Sequence, residues 1–200
     1  MEEALARLKG NEFVEYAEPN AIGTFHAPRY PIDELYPNQW APDKIDAPDA
    51  WGITIGSPSV VVAVVDVGVR PAGHDLSMWI NDDCDGDGDD DDTNGYVDDC
   101  NGWDFAMNDN DPTGVDPHAT EIAGIIGSDA SDTGSPEGIA GINWDVSIMN
   151  LKVGGMDTQL AYVAAAIEYA AKNGAHVINA SWGFGCGNPA PSCRTTCLPT

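Results

Sequence analysis

The chain has 200 residues, enough for one sizeable core, and its 42% apolar content is ordinary for a water-soluble globular domain. Eight basic residues face 33 acidic ones, and the formal net charge of −25 argues against nucleic acid and anionic membranes as partners. No apolar run is long enough to span a bilayer.

Glu2 to Lys9 reads as a short amphipathic helix with Leu5 and Leu8 inward, and Phe13-Val14-Glu15-Tyr16-Ala17 as a strand ended by Pro19-Asn20. Residues 20–47 are proline-rich with little periodicity, which predicts a linker and an extended arm. From Val60 the pattern alternates: strand 60–66, helix 117–128, strand 147–153, helix 158–173, strand 176–181. In the first of these helices Asp116 is the expected N-cap and Pro117 takes the first helical position, with Ile122, Ile125 and Ile126 as the buried stripe. Asp157 or Thr158 caps the second, whose Leu160, Val163, Ala164 and Ile167 are expected inward until Asn173-Gly174 ends it. Strand and helix in alternation predict an α/β fold, a three-layer parallel sheet with helices on both faces and its sites at the C-terminal strand edges.

Two residues fit that edge. The apolar run Val60 to Val65 ends at Asp66, so a carboxylate stands at the end of a buried parallel strand, and His118 sits in the first turn of the following helix. Such an acid can fix the tautomer of the imidazole and stabilise its protonated form while the ring takes a proton from a nucleophile. Placement at a helix N-terminus is expected to lower the pKa of His118. His26, His74 and His176 are not expected to be catalytic, the first lying in the linker and the third at a strand start.

The acidity is concentrated: residues 81–116 hold 14 Asp and no Lys or Arg. Calcium takes several oxygen ligands, and a loop alternating Asp with small residues supplies them. Two frames match the helix-loop-helix calcium spacing, Asp83, Asp85, Asp87, Gly88, Asp89 and, preferred, Asp90, Asp92, Asn94, Gly95, Tyr96 with Val97 and Asp98 following. Neither has a glutamate at the twelfth position, so modest affinity is expected. None of the five cysteines forms a zinc-type C-x2-C pair, and Cys84 and Cys100 bracket the acidic stretch, which suggests a disulfide and an oxidising, extracellular setting. Cys186, Cys193 and Cys197 leave one cysteine over.

Four fragments in order resemble the subtilisin-like serine proteases. Val64-Val65-Asp66-Val67-Gly68 is similar to that family's apolar run and D-[T/S]-G, and Asp116 to Gly124 to its N-G-H-G-T-H-V-A-G. Gly138-Ile139-Ala140-Gly141-Ile142 resembles G-[V/I]-A-G-V, and Ala175 to Gly183 resembles G-A-x-V-I-N-x-S-x-G. The resemblance covers about residues 12–183 and implies a catalytic Asp66 and His118. It implies a peptide substrate held by strand addition between Gly154-Gly155-Met156 and Ser181-Trp182-Gly183. It also implies that residues 1–25 are the end of an inhibitory propeptide, 26–47 a linker and arm, and 48–200 the first part of the catalytic domain, with its acidic insert at 81–116. Asp104, Asp109 and Asp111 fall at the spacing of a family calcium loop, and Asp33 and Asp75 where other members place ligands of a further site.

The family's nucleophilic serine lies in a G-T-S-[M/A] motif that does not occur here, so the expected parent is a longer, secreted, monomeric, calcium-stabilised endopeptidase of which this is a piece, inactive by itself. Val67 replaces a hydroxyl residue beside the acid, Pro117 and Ala119 replace glycines, and Glu121 replaces a second histidine. These departures and the missing serine leave a peptide-binding pseudoprotease open as a rival, and the acidic loop leaves open a calcium-binding adhesion module carried on an α/β scaffold.

Overall fold

The computed structural model describes residues 2–18, 26–72, 75–130, 138–155 and 158–183. His74, Met156, Asp157, Cys186, Cys193 and Cys197 lie outside the described residues. Helix α1 spans Glu2–Lys9, as its periodicity predicts, although Leu8 stays exposed. The strand expected at 13–17 does not form. Asn11 turns the chain instead: its carbonyl accepts the Val14 N–H at 3.0 Å and its side chain the Phe13 N–H at 2.9 Å. Phe13 and Tyr16 are left 89% and 70% exposed, because an alternating run without a sheet edge to pair with has no reason to extend.

The proline-rich stretch is docked rather than merely connecting. It holds a 3-10 turn at Tyr36–Asn38, α2 at Trp40–Lys44 and α3 at Ala47–Trp51. Trp51 stacks against Trp144 with ring centroids 4.8 Å apart, and the Gln39 side chain both donates to and accepts from the Ala140 backbone, at 2.9 and 2.8 Å.

Among the described residues four parallel strands make the sheet: β1 Gly56–Asp66, β2 Gly102–Asp104, β3 Asp145–Lys152 and β4 Val177–Asn179, in the order β2-β3-β1-β4. Strand period sends alternate side chains of β1 to opposite faces. Val62 and Val64 pack with Ala119 and Ala123 of α4 (His118–Gly127), whereas Val61, Ala63 and Val65 pack with Val163, Ala166 and Ala170 of α5 (Leu160–Lys172). The three-layer α/β arrangement follows, and parity assigns Asp66 to the α4 face.

Both helices bury a different stripe from the one their branched residues suggest. In α4 the buried positions are Ala119, Thr120, Ala123, Gly124 and Gly127, with Ile122 and Ile126 flanking them and Ile125 59% exposed. A Cβ on Gly127 would come within 2.6 Å of Val146, so the helix lies too close to the sheet for large side chains on its inner line. In α5, Val163 is inward as expected, but Ala166, Tyr169 and Ala170 complete the face while Leu160, Ala164 and Ile167 point out. Caps differ too. Pro117 rather than Asp116 occupies the N-cap position of α4, and Gln159 that of α5, while the Thr158 hydroxyl turns back to the Val153 carbonyl.

Candidate active site

His118 Nδ1 and Asp66 Oδ1 are 2.7 Å apart, at the C-terminal edge of the sheet. Asp66 arrives there because β1 ends with it, its own carbonyl accepting the Val153 N–H at 2.9 Å in the β3 pairing. His118 arrives because it is the first residue of α4, with its backbone N–H held at 2.9 Å by Asp116 Oδ1, so Asp116 steadies the helix start from one residue before the cap. The Asp66 side chain is only 2% exposed, whereas the His118 side chain is 50% exposed.

The pKa of His118 is raised above 6.5, chiefly by the Asp66 hydrogen bond and then by the Asp66 charge, with Asp116 and Glu121 adding to it. This reverses the expected depression: a carboxylate in direct contact outweighs partial charges at a helix end. Glu121 thus acts on the ring as a nearby charge. Asp66 Oδ1 also accepts the Val67 N–H at 2.8 Å, while among the described residues no donor reaches the buried Oδ2. Val67, which has no hydroxyl, cannot supply one.

The two predicted peptide-binding edges leave the sheet on either side of β1, since β3 and β4 both pair with it. Gly155 and Gly183 face open space, so a chain can approach them closely. Gly154 is buried and bridges to Thr158, the Ser181 hydroxyl accepts from Asn179 at 2.9 Å, and Trp182 leans onto the α5-side core. His176 has a structural position: its Nδ1 accepts the Val61 N–H at 3.2 Å at the start of β4.

Between residues 83 and 98 the acidic insert draws the two calcium frames together instead of using one. Carboxylate oxygens converge within 4.8 Å in three groups: Asp83, Asp85 and Asp91; Asp83, Asp90 and Asp92; Asp85, Asp87 and Asp98. Asp83 is shared by two of them and fully buried. Asp98 joins the first frame, while Asn94 is engaged internally, accepting the Tyr96 N–H and donating to Asp92 at 2.8 Å each. Crowding raises the pKa of Asp91, mainly through Asp87 and Asp85, and one buried oxygen of Asp98 has no hydrogen-bond donor among the described residues. An all-oxygen, surplus-negative donor set with irregular spacing fits calcium better than a softer or smaller ion.

The other predicted ligands fall in none of these carboxylate groups, although Asp104 and Asp109 bridge through their backbones. Asp104 pairs with Lys152 at 2.8 Å and accepts the Ala106 and Met107 N–H groups. Asp109 accepts the Asp111 N–H, and Asp111, whose pKa is lowered by Thr113, caps a turn. Asp33 is buried, and Asp75 lines a cleft of about 430 Å³ beside α4, in none of the carboxylate groups.

Cys84 and Cys100 are joined by a disulfide that closes the insert at its base, a sequence separation of 16. Replacing both by Ser should lower stability to urea by about 3 kcal/mol, the loop-closure entropy of such a ring, and an unchanged midpoint would refute this. Asp99 beside it is fully buried, taking hydrogen bonds from Tyr169, Asn81 and Asn94. Burial raises its pKa in spite of those bonds. Tyr96 packs edge-on against Trp103, Phe105 and Tyr169, so the insert is sewn into the α5-side core.

Sequence reasoning missed Asn150, which is 2% exposed on β3 among Val64, Val69 and Ile148. Its signal was a strand-poor polar residue inside an apolar strand, Ser147-Ile148-Met149-Asn150-Leu151.

Comparison with known proteins agrees with this geometry. The subtilase family model matches residues 57–195. A thermophilic serine proteinase of Bacillus sp. (strain AK1) is 35% identical over 190 residues, 93% of this chain and 41% of that protein. The halolysin-like extracellular serine protease Nep of Natrialba magadii is 33% identical over 175 residues, 85% of this chain and 29% of that protein. The crystal structure of MycP1 with its N-terminal propeptide removed superposes with a TM-score of 0.51 at 26% identity, covering 70% of this chain and 36% of that one. The chain thus spans less than half the length of these relatives. With the Asp66–His118 pair, the parallel sheet and the family match in agreement, the chain belongs to the subtilase family.

Proposed function

We propose that the chain is the first part of the catalytic domain of a secreted, calcium-stabilised serine endopeptidase, and the 2.7 Å contact between His118 and Asp66 is the observation that carries this. Asp66 holds the Nδ1 proton, which leaves Nε2 as the basic nitrogen of the ring. His118 takes the proton of a serine hydroxyl supplied from beyond this chain and later returns it to the leaving amine. Gly154-Gly155-Met156 and Ser181-Trp182-Gly183 hold the polypeptide substrate as an added strand, and the chemistry of a monomer suffices. Residues 1–25 are the end of the inhibitory propeptide. Asp83, Asp85, Asp87, Asp90, Asp91, Asp92 and Asp98, in three overlapping groups, would hold calcium, whose role when bound would be to neutralise and order the insert rather than to enter the reaction.

A pseudoprotease that binds peptide without cutting is the second reading, favoured by an Asp66 Oδ2 that meets no donor among the described residues. An adhesion module is disfavoured because it gives no role to the Asp66–His118 contact or to the subtilase match over residues 57–195. A fluorophosphonate probe separates the two remaining readings. The longer protein containing this chain should label stoichiometrically at one serine and the 200-residue chain should not label. Failure of the longer protein to label supports the pseudoprotease, and labelling of the short chain overturns the placement of the serine outside it.

A further inference from the structure

Asp66 and His118 reach each other from two separate arms of chain. One runs out of β1 through Val67, Gly68 and Val69; the other comes in through Pro112, Thr113 and Gly114 to the start of α4. The arms touch: a Cβ on Gly68, whose φ is +95°, would lie 2.4 Å from the Pro112 carbonyl oxygen and 2.7 Å from the Gly114 nitrogen. Only glycine fits that approach.

A single buried side chain bonds to both arms. Asn150 Oδ1 accepts the Val69 N–H at 2.8 Å, and its Nδ2 donates to the Val69 carbonyl at 2.9 Å and to the Pro112 carbonyl at 3.0 Å. Its acceptor and both amide hydrogens are therefore used, in a layer otherwise made of Val62, Val64, Val69 and Ile148. Burying a carboxamide there is unfavourable unless those bonds form, so they define one arrangement of the two arms and penalise others. Thr120 adds a smaller tie, its Oγ1 accepting the Arg70 N–H at 3.0 Å. Because Asp66 Oδ2 meets no donor among the described residues, the orientation of the carboxylate depends on backbone placement more than it would with a neighbouring hydroxyl.

We propose that Asn150 is the positioning residue of this site, a clamp that sets the Asp66–His118 contact by fixing the chain three residues after the acid and six residues before the imidazole. Its relevance to catalysis rests on the protease reading above, but the contact itself can be measured without turnover. The pKa of His118, followed by the ring proton resonances of the intact 200-residue chain, reports whether Asp66 still meets the ring. Wild type should titrate above 6.5. Asn150→Ala should return most of that shift while the resonances of His26 and His176 and the far-ultraviolet circular dichroism stay as in wild type. A wild-type pKa in a folded Asn150→Ala chain overturns the proposal. If that variant does not fold, Asn150→Ser keeps a polar partner for Val69 but is too short to span to Pro112. It should move the pKa in the same direction by less, and a wild-type value there overturns the proposal equally. In the longer protease, loss of kcat with KM unchanged and an acid limb displaced to lower pH would extend the role to turnover. An inactive parent would count against the protease reading and leave the titration result standing.

Discussion

Replacing His118 by Ala in the longer protein should lower kcat by roughly 10⁴ to 10⁶-fold, the usual cost of removing one member of a cooperating triad. His176→Ala should retain most of the turnover, because that ring only substitutes for a backbone acceptor at the start of β4. The pH profile carries the sign of the mechanism. His118 must be neutral to act as a base, and Asp66 raises its pKa above 6.5. Activity is therefore lost as pH falls through that raised value, and the acid limb of kcat/KM should lie above 6.5. Asp66→Asn removes the carboxylate charge behind both of the largest causes of the shift, so the limb should move down while kcat falls by about 10⁴-fold. Equal losses in His118→Ala and His176→Ala with folding intact, or an acid limb unmoved in Asp66→Asn, would remove the acid–base assignment.

How much of this was legible depends on whether the deciding contact was local. The run Val60 to Val65 announces a buried parallel strand by composition, and its period places Asp66 on the same face as α4. His118 was legible because the helix start is written locally in Asp116-Pro117-His118. Which stripe each helix buries was not, since it depends on how closely helix and sheet approach. Gly127 and Ala123 permit a short distance that excludes Ile125, and Ala166 and Ala170 do the same against Ile167. Phe13 to Ala17 shows the converse case, a strand-like pattern with no edge to complete it. The bonds of Asn150 reach across 81 and 38 positions, so only its oddity in an apolar strand could have drawn notice. The acidic frames were visible as spacing, but their merging through Asp83 required the disulfide and the turns that bring residue 83 beside 91 and 98.

Asp83→Asn should weaken calcium binding by the insert about tenfold or more, and further than Asp92→Asn or Asp98→Asn do. Each of those residues contributes to one carboxylate group, whereas Asp83 contributes to two and is fully buried, so its charge is the least screened by water. Without a cation the 14 Asp of residues 81–116 repel one another, and the insert should open to proteases between residues 81 and 104. At a hundred times the dissociation constant, calcium bound to the folded form adds about 2.7 kcal/mol of stability, which closes it. Asp83→Asn also loses part of the acceptor set for the Asp91 and Asp98 N–H groups, a defect present with or without metal. The two effects separate by titration, because the hydrogen-bond defect is constant while the binding defect makes the difference from wild type grow as calcium rises. Limited proteolysis at fixed ionic strength excludes simple screening as the cause. Magnesium, which demands a near-octahedral shell and keeps its waters, should protect less well than calcium. Superimposable protection curves for wild type and Asp83→Asn, or equal protection by the two cations, would mean that the insert is a solvated acidic loop held without calcium, by its disulfide, the Asp99 hydrogen bonds and the aromatic contacts of Tyr96.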